Sequence, residues 1–157
     1  MSTLPPELIE LAEQVRPLAE LLRELSIADP TAATAELARV APCDGPLVSG
    51  LRDVVFAGAK AGWLLPKEHG GIRFGRVAKD LAGFSVDAVW LGDAPGPRHV
   101  HPNGEIDLLW TETGTPKFDG HDPGWAVYAP GSEHVPAVTG GSMLILYFLP
   151  GGAIEWR

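Results

Sequence analysis

The sequence HVHPNGE, at residues 99–105, carries most of what can be inferred about the fold of this chain. Side chains at positions i and i+2 of a β-strand project from one face, so His99 and His101 can point the same way. The Pro, Asn and Gly that follow favour a tight turn, which can bring Glu105 back beside the two imidazoles. The stretch therefore predicts a strand, a turn and a second strand that place these three side chains together.

A third histidine, His134, lies further along in the sequence PGSEH at residues 130–134. Imidazole nitrogens and a carboxylate oxygen form a mixed ligand set that suits a divalent first-row metal, and Zn, Fe, Mn, Ni and Co all remain open. These groups bind as neutral imidazole and ionised carboxylate, so we expect metal affinity to weaken as the pH falls through about 6.5. The alternative interpretation is that they are polar residues in turns.

Composition and charge limit the class of protein. The chain has 157 residues, of which 45% are hydrophobic and 20% charged, as is typical of one globular domain with a real core. The formal net charge is -8 without a cluster of Lys and Arg, which argues against a nucleic-acid partner. Cys43 is the single cysteine, so a reducing compartment fits best. With no signal core and no apolar run near the roughly 20 residues of a membrane helix, we expect a cytoplasmic protein without a membrane partner.

The two parts of the chain differ in periodicity. Apolar residues at helical spacing predict helices over 5–15, 29–38 and 46–61, the last ending at Gly62, and Pro17 is expected to kink the first helix or begin another. From residue 71 onward, short β-branched and aromatic segments alternate with turn residues. The candidate strands are 72–78, 83–91, 97–101, 105–111, 124–129, 134–138 and 142–149. We therefore predict a helical cap at 1–70 and an antiparallel sandwich or barrel at 71–157.

The ligand-type residues stand in an order that resembles the cupin family. The first cupin motif is matched by Gly92 or Gly96, His99, His101, Glu105 and Gly114, and the second by Gly124, Pro130, Gly131 and His134. The interval from Glu105 to Gly114 is longer than usual, which implies a modified turn. The resemblance implies an antiparallel jelly-roll barrel, and a dimer, since cupins are often dimers. It also implies that His99, His101, Glu105 and His134 are the metal ligands.

A closer resemblance extends over most of the chain. The stretches GGIRFGRV at 70–77, HPNGEID at 101–107 and YFLPGGAIE at 147–155 look like the small bacterial cupins that include 4-hydroxylaminobenzoate lyase. This resemblance implies a lyase that converts 4-hydroxylaminobenzoate to 3,4-dihydroxybenzoate with release of ammonia, and hence a small aromatic carboxylate as substrate. The alternatives are another cupin enzyme, such as a non-haem iron dioxygenase, or a non-catalytic small-molecule sensor.

Three further residues are candidates for moving protons. Asp107 lies two residues beyond Glu105 on the same strand face, where an unpaired carboxylate is costly. We interpret it as a general base or a partner of a metal ligand, with a salt bridge at the barrel mouth as the alternative. Tyr128 and Tyr147 each carry a hydroxyl that needs a partner when buried and could donate a proton, although aromatics in strands are more often plain core.

Substrate contacts are expected from two arginines and a tryptophan. An aromatic carboxylate needs a fixed cation, and Arg73 and Arg76 lie in the Gly-rich segment before the barrel. The alternative is that both are solvated surface residues. Trp110 is expected to wall the aromatic pocket, with ordinary core packing as the other possibility.

Overall fold

The computed structural model describes residues 4–157, in which three helices precede nine strands. The helices are α1 (Pro6–Arg23), α2 (Pro30–Val40) and α3 (Pro46–Ala61). The strands are β1 (Lys67–His69), β2 (Ile72–Leu81), β3 (Phe84–Leu91), β4 (His99–His101), β5 (Glu105–Phe118), β6 (Gly124–Tyr128), β7 (Ser132–His134), β8 (Val138–Pro150) and β9 (Glu155–Trp156). The predicted fold class, mainly β with N-terminal helices, is confirmed. Residues 1–3 of the expected helical cap lie outside the described residues, and its division from the barrel at residue 71 stays a prediction.

The strands form two antiparallel sheets. Six strands pair in the order β1-β2-β3-β8-β5-β6, and three shorter strands pair in the order β7-β4-β9. The helices cover one face of the large sheet, where Ile106 and Leu108 of β5 belong to one hydrophobic cluster with Leu11 and Leu18 of α1. We call this the helix-covered face. The opposite, inner face carries a second cluster that includes Leu109.

Helix α1 rules out the expectation that a second helix begins at Pro17. The helix continues through this proline, which lies on its exposed side, to Arg23. A proline removes one backbone hydrogen bond, but Leu11, Val15 and Leu18 form an uninterrupted buried stripe against the sheet, and each is 0% exposed. Tertiary packing therefore keeps one helix where local propensity suggests two. In the described part of the chain, no helix is long and apolar enough to cross a membrane.

Several strands differ from the sequence expectations. Strand β5 continues to Phe118, beyond its expected end at residue 111, and β8 begins at Val138, before its expected start at residue 142. The strand expected at 134–138 is β7, which ends at His134, and residues 135–137 connect it to β8 without sheet pairing. Pro136 has no N–H to donate to a ladder, which accounts for the break. Strands β1 and β9 were not expected, because two or three residues are too few to show a period of two.

Candidate metal centre

Strand pairing brings the four predicted ligands together. Strand β4 pairs with β7 so that His99 lies directly opposite His134, and Glu105 begins β5 immediately after the turn. Gly104 makes that turn with φ of 86°, a left-handed conformation that favours glycine. One ligand atom from each of His99, His101, Glu105 and His134 lies within 4.8 Å of the others. All but His134 are buried, and His134 is 11% exposed at its side chain.

Each of the three imidazoles is fixed through its Nδ1 atom. The contacts are His99 Nδ1 to the carbonyl oxygen of Pro97 at 2.9 Å, His101 Nδ1 to Ser132 Oγ at 3.0 Å, and His134 Nδ1 to Asp119 Oδ2 at 2.5 Å. Because each Nδ1 atom makes a hydrogen bond on the outside of the cluster, each Nε2 atom points towards its middle. This arrangement resembles the outer hydrogen bonds that orient metal-binding histidines generally.

The tautomers of two histidines follow from their partners. The Pro97 carbonyl and the Asp119 carboxylate can only accept, so Nδ1 of His99 and of His134 carries the proton. A ring that carries its proton only there presents a lone pair at Nε2, and the two Nε2 atoms are 3.1 Å apart. Two lone pairs at that distance repel unless a cation lies between them. The burial of His99 lowers its pKa below the usual value, which favours the neutral form that binds metal.

Two buried atoms at the centre also lack partners. His101 Nε2 and Glu105 Oε2 make no hydrogen bond within residues 4–157, although they lie 3.2 Å apart. The same carboxylate oxygen is 3.8 Å from His134 Nε2. Leaving such atoms unsatisfied costs about 1–3 kcal/mol each. A divalent cation would bind one ligand atom from each of the four side chains, so the residues present fit a metal ion.

A cavity of about 510 Å³ opens beside the cluster, with His99 and Glu105 in its wall. Most of the lining is apolar: Ile72, Phe74, Val89, Leu91, Leu149, Ile154 and Trp156. Its polar lining side chains beyond the cluster are His69, Arg76, Ser85, Asp87 and Tyr147. The cavity therefore joins a metal-type cluster to a largely hydrophobic chamber, as ligand sites commonly do.

The polar residues of the inner face form a row across four strands. Arg76 lies opposite Asp87, Asp87 opposite Tyr147, and Tyr147 opposite Asp107. At one end, Arg76 Nε donates to Asp87 Oδ1 at 2.6 Å. At the other end, Asp107 is 0% exposed, and neither of its oxygens has a hydrogen-bond partner in the described structure. Burial first, and then the negative charge of Glu105, raises the pKa of Asp107 well above its usual range.

The two tyrosines differ in what their hydroxyls do. The Tyr128 hydroxyl donates to Asp119 Oδ2 at 2.7 Å, and its ring packs on His134 with 4.5 Å between centroids. Tyr147 instead lines the cavity beside Asp107 in the polar row. Burial raises the pKa of both phenols, so both are neutral at neutral pH. Of the two tyrosines, only Tyr147 is among the residues that line the cavity.

Two of the three expected substrate contacts lie away from the cavity. Arg73 does not line the cavity, since its guanidinium carbon lies 4.6 Å from the centre of the Trp90 ring. Trp110 belongs to the cluster on the helix-covered face, because it is an odd number of residues from Glu105 and Asp107 on the same strand. Of the three expected contacts, only Arg76 reaches the cavity.

Sequence reasoning missed four residues of this region. Ser85 and Asp87 alternate with apolar residues along β3, and that period of two is a signal that could have placed them on the inner face. Asp119 and Ser132 hold histidines from loop and strand-edge positions. Their contacts join distant parts of the chain, so no local pattern indicates them.

Comparison with solved structures identifies the architecture. A chain from the crystal structures of the DMSP lyases RdDddP and RnDddQII is 16% identical, with a TM-score of 0.58 over 96% of this chain and 97% of that one. The DMSP lyase DddQ from Ruegeria pomeroyi is 15% identical, with a TM-score of 0.54 over 95% of both chains. Identities this low establish the shared fold alone.

Comparison with protein sequences identifies the family. A 4-hydroxylaminobenzoate lyase of Nocardioides sp. is 30% identical in an alignment of 116 positions that covers 63% of this chain and 66% of that protein. A protein of the same name from Pseudomonas putida is 27% identical in an alignment of 133 positions that covers 72% of this chain and 76% of that protein. The family model described as PnbB, 4-hydroxylaminobenzoate lyase, matches residues 17–156. The chain therefore belongs to the 4-hydroxylaminobenzoate lyase family.

Proposed function

We propose that this protein is a metal-dependent lyase that converts 4-hydroxylaminobenzoate to 3,4-dihydroxybenzoate and ammonia. The observation that carries the proposal is the convergence of three imidazole Nε2 atoms and Glu105 beside a largely apolar cavity. The names of the two relatives supply the substrate and the class of reaction, a lyase. The polar row on the inner face supplies groups suited to each end of such a substrate.

The overall reaction balances with one molecule of water and no external oxidant. The hydroxylamine N–O bond breaks and nitrogen is reduced to ammonia, while the ring is oxidised to the catechol. A divalent ion such as Zn, Fe, Mn, Ni or Co, held by His99, His101, Glu105 and His134, would act as a Lewis acid towards an oxygen that gains negative charge. The protein itself must orient the ring, exclude bulk water and move protons.

Arg76 is the residue proposed to hold the substrate carboxylate. Its Nε is engaged by Asp87, which fixes the plane of the guanidinium and leaves the terminal nitrogens for a bidentate contact. Three strand spacings, about 14 Å, separate the backbone of β2 from that of β5. A ring bound between them would lie against the apolar walls, with its carboxylate at Arg76 and its hydroxylamine towards the metal centre.

Asp107 and Tyr147 are the groups proposed to move protons. Addition of water to the ring and departure of ammonia both require proton transfers, and these two side chains lie opposite each other on adjacent strands. The Asp107 carboxyl oxygens have no hydrogen-bond partner in residues 4–157, so no internal contact holds the carboxyl in one protonation state. The Tyr147 hydroxyl stays protonated and can donate.

An anaerobic assay on 4-hydroxylaminobenzoate tests the proposal. The metal-loaded protein should form 3,4-dihydroxybenzoate and ammonia in equal amounts without oxygen. His101→Ala should lose both bound metal and turnover, because it removes a central ligand, whereas His121→Ala removes an exposed imidazole and should keep both. Full activity and metal content in His101→Ala would refute the metal-dependent mechanism. A strict need for oxygen would instead support a dioxygenase, and binding without turnover would support a sensor.

A further inference from the structure

The Asp119 side chain accepts three hydrogen bonds next to the metal centre. Its Oδ2 accepts from the Tyr128 hydroxyl at 2.7 Å and from His134 Nδ1 at 2.5 Å, and its Oδ1 accepts from the backbone N–H of Ala137 at 3.0 Å. Its own N–H donates to the carbonyl of Ala137 at 2.9 Å. The carboxylate is thus anchored to the chain on one side and to the ligand histidine on the other.

All three of these contacts bring a donor to the carboxyl oxygens of Asp119. An acceptor at Nδ1 keeps the His134 proton on that nitrogen and leaves the Nε2 lone pair facing the cluster. Without an acceptor there, the ring is free to rotate or to place its proton on Nε2, where it would block metal binding.

We infer that Asp119 is a positioning residue that fixes the orientation and tautomer of His134, with the Tyr128 hydroxyl as its second support. The inference rests on the proposed metal site. It reassigns Tyr128, whose hydroxyl donates to Asp119 and whose ring packs on His134, from proton transfer to the support of a ligand.

Asparagine cannot replace Asp119 in this network. All three groups around the carboxylate are donors, and an amide offers one oxygen and one NH2 group. If the amide oxygen faces His134, the NH2 group meets the Ala137 N–H. If it faces Ala137, the NH2 group points at His134 Nδ1 and favours the wrong tautomer. Either way, one donor opposes another.

The backbone at this position makes the test feasible. Asp119 has φ of 50°, in the left-handed region where Asn and Gly are the best tolerated replacements. Asp119→Asn and Asp119→Gly therefore change the carboxylate with little added backbone strain. Asp122→Asn is a matched control in the same loop, because that carboxylate is 80% exposed and pairs with Lys117 rather than with the cluster.

The experiment is a titration of metal-free protein with Co(II), followed by its visible absorption. Asp119→Asn and Asp119→Gly should bind Co(II) about 10–100-fold more weakly than wild type, the usual effect of losing such a partner. Asp122→Asn should bind as wild type does. A second readout is the nitrogen NMR spectrum of His134 in the metal-free protein, which should show the proton on Nδ1 in wild type and a population on Nε2 in Asp119→Gly.

Two outcomes separate this inference from the proposed function. Unchanged Co(II) affinity and an unchanged His134 tautomer in both Asp119 variants would overturn the positioning role while leaving the metal site intact. If wild-type protein itself failed to bind Co(II) or any other divalent ion tested, the metal-dependent function would fail. The NMR comparison would then still decide whether Asp119 sets the tautomer of His134.

Discussion

At the start of β5, the two faces of the large sheet are equally buried but differ in chemistry. Ile106 and Leu108 face the helices, while Glu105 and Asp107 lie on the inner face, and each of the four is at most 1% exposed. Apolar side chains gain from such burial, whereas an unpartnered buried carboxyl costs free energy. Neighbouring residues on one strand therefore have opposite effects on the stability of the fold.

This difference indicates which face serves which purpose. The helix-covered face joins the sheet to α1 and α3 through an apolar cluster, and its packing accounts for the position of the helices. The inner face holds buried polar atoms that the fold does not satisfy, which a bound ligand could satisfy instead. Substitutions on the two faces should accordingly separate stability from function.

The largest effect is expected at Asp107 on the inner face. Asp107→Asn keeps the shape of the side chain but removes its capacity to accept and return a proton, so kcat should fall by about 10²–10⁴-fold. The free energy of unfolding should stay the same or rise, because a costly buried carboxyl is gone. Steady-state kinetics and urea unfolding of the metal-loaded protein measure both. A full kcat would remove Asp107 from the mechanism.

Leu108→Ala, one residue away, should give the opposite result. It opens a space in the cluster on the helix-covered face and should lower the free energy of unfolding by about 2–5 kcal/mol. Metal content and kcat per folded molecule should not change at a temperature where the variant is folded. A loss of kcat in fully folded Leu108→Ala would show that the two faces are coupled.

A smaller effect is expected at Arg76, with Arg73 as its matched control. Arg76→Gln should raise KM for 4-hydroxylaminobenzoate by about 10–100-fold, since a charge-assisted hydrogen bond contributes about 1.5–3 kcal/mol. Arg73→Gln should leave KM unchanged, because Arg73 stacks on Trp90 away from the cavity. Equal effects of the two variants would contradict the assignment of the carboxylate to Arg76.

The sequence predicts which residues lie on each face of the sheet only where apolar and polar side chains alternate regularly along a strand. The spacing of His99, His101 and Glu105 is local, so the strand period and one turn are enough to bring them together. The same period, applied strictly, would also have placed Trp110 on the helix-covered face. By contrast, Asp119 reaches His134 from another part of the chain, through a left-handed residue and a contact with the backbone at Ala137. Such contacts depend on how loops are placed in three dimensions and leave no mark in a local pattern.

The smallest effect is expected at Trp110. This residue is the exception to the contrast between the two faces, because it brings a polar atom to the helix-covered face. Its indole Nε1 is the one side-chain polar atom of the helix-covered cluster that is buried without a partner in the described residues. Trp110→Phe removes that donor together with some apolar area, and these changes oppose each other, so the free energy of unfolding should shift by no more than about 1 kcal/mol. KM and kcat should stay at wild-type values, because the side chain lies behind the sheet from the cavity. A raised KM would mean that Trp110 does act on the substrate through the sheet, and the assignment of function to the inner face alone would then be wrong.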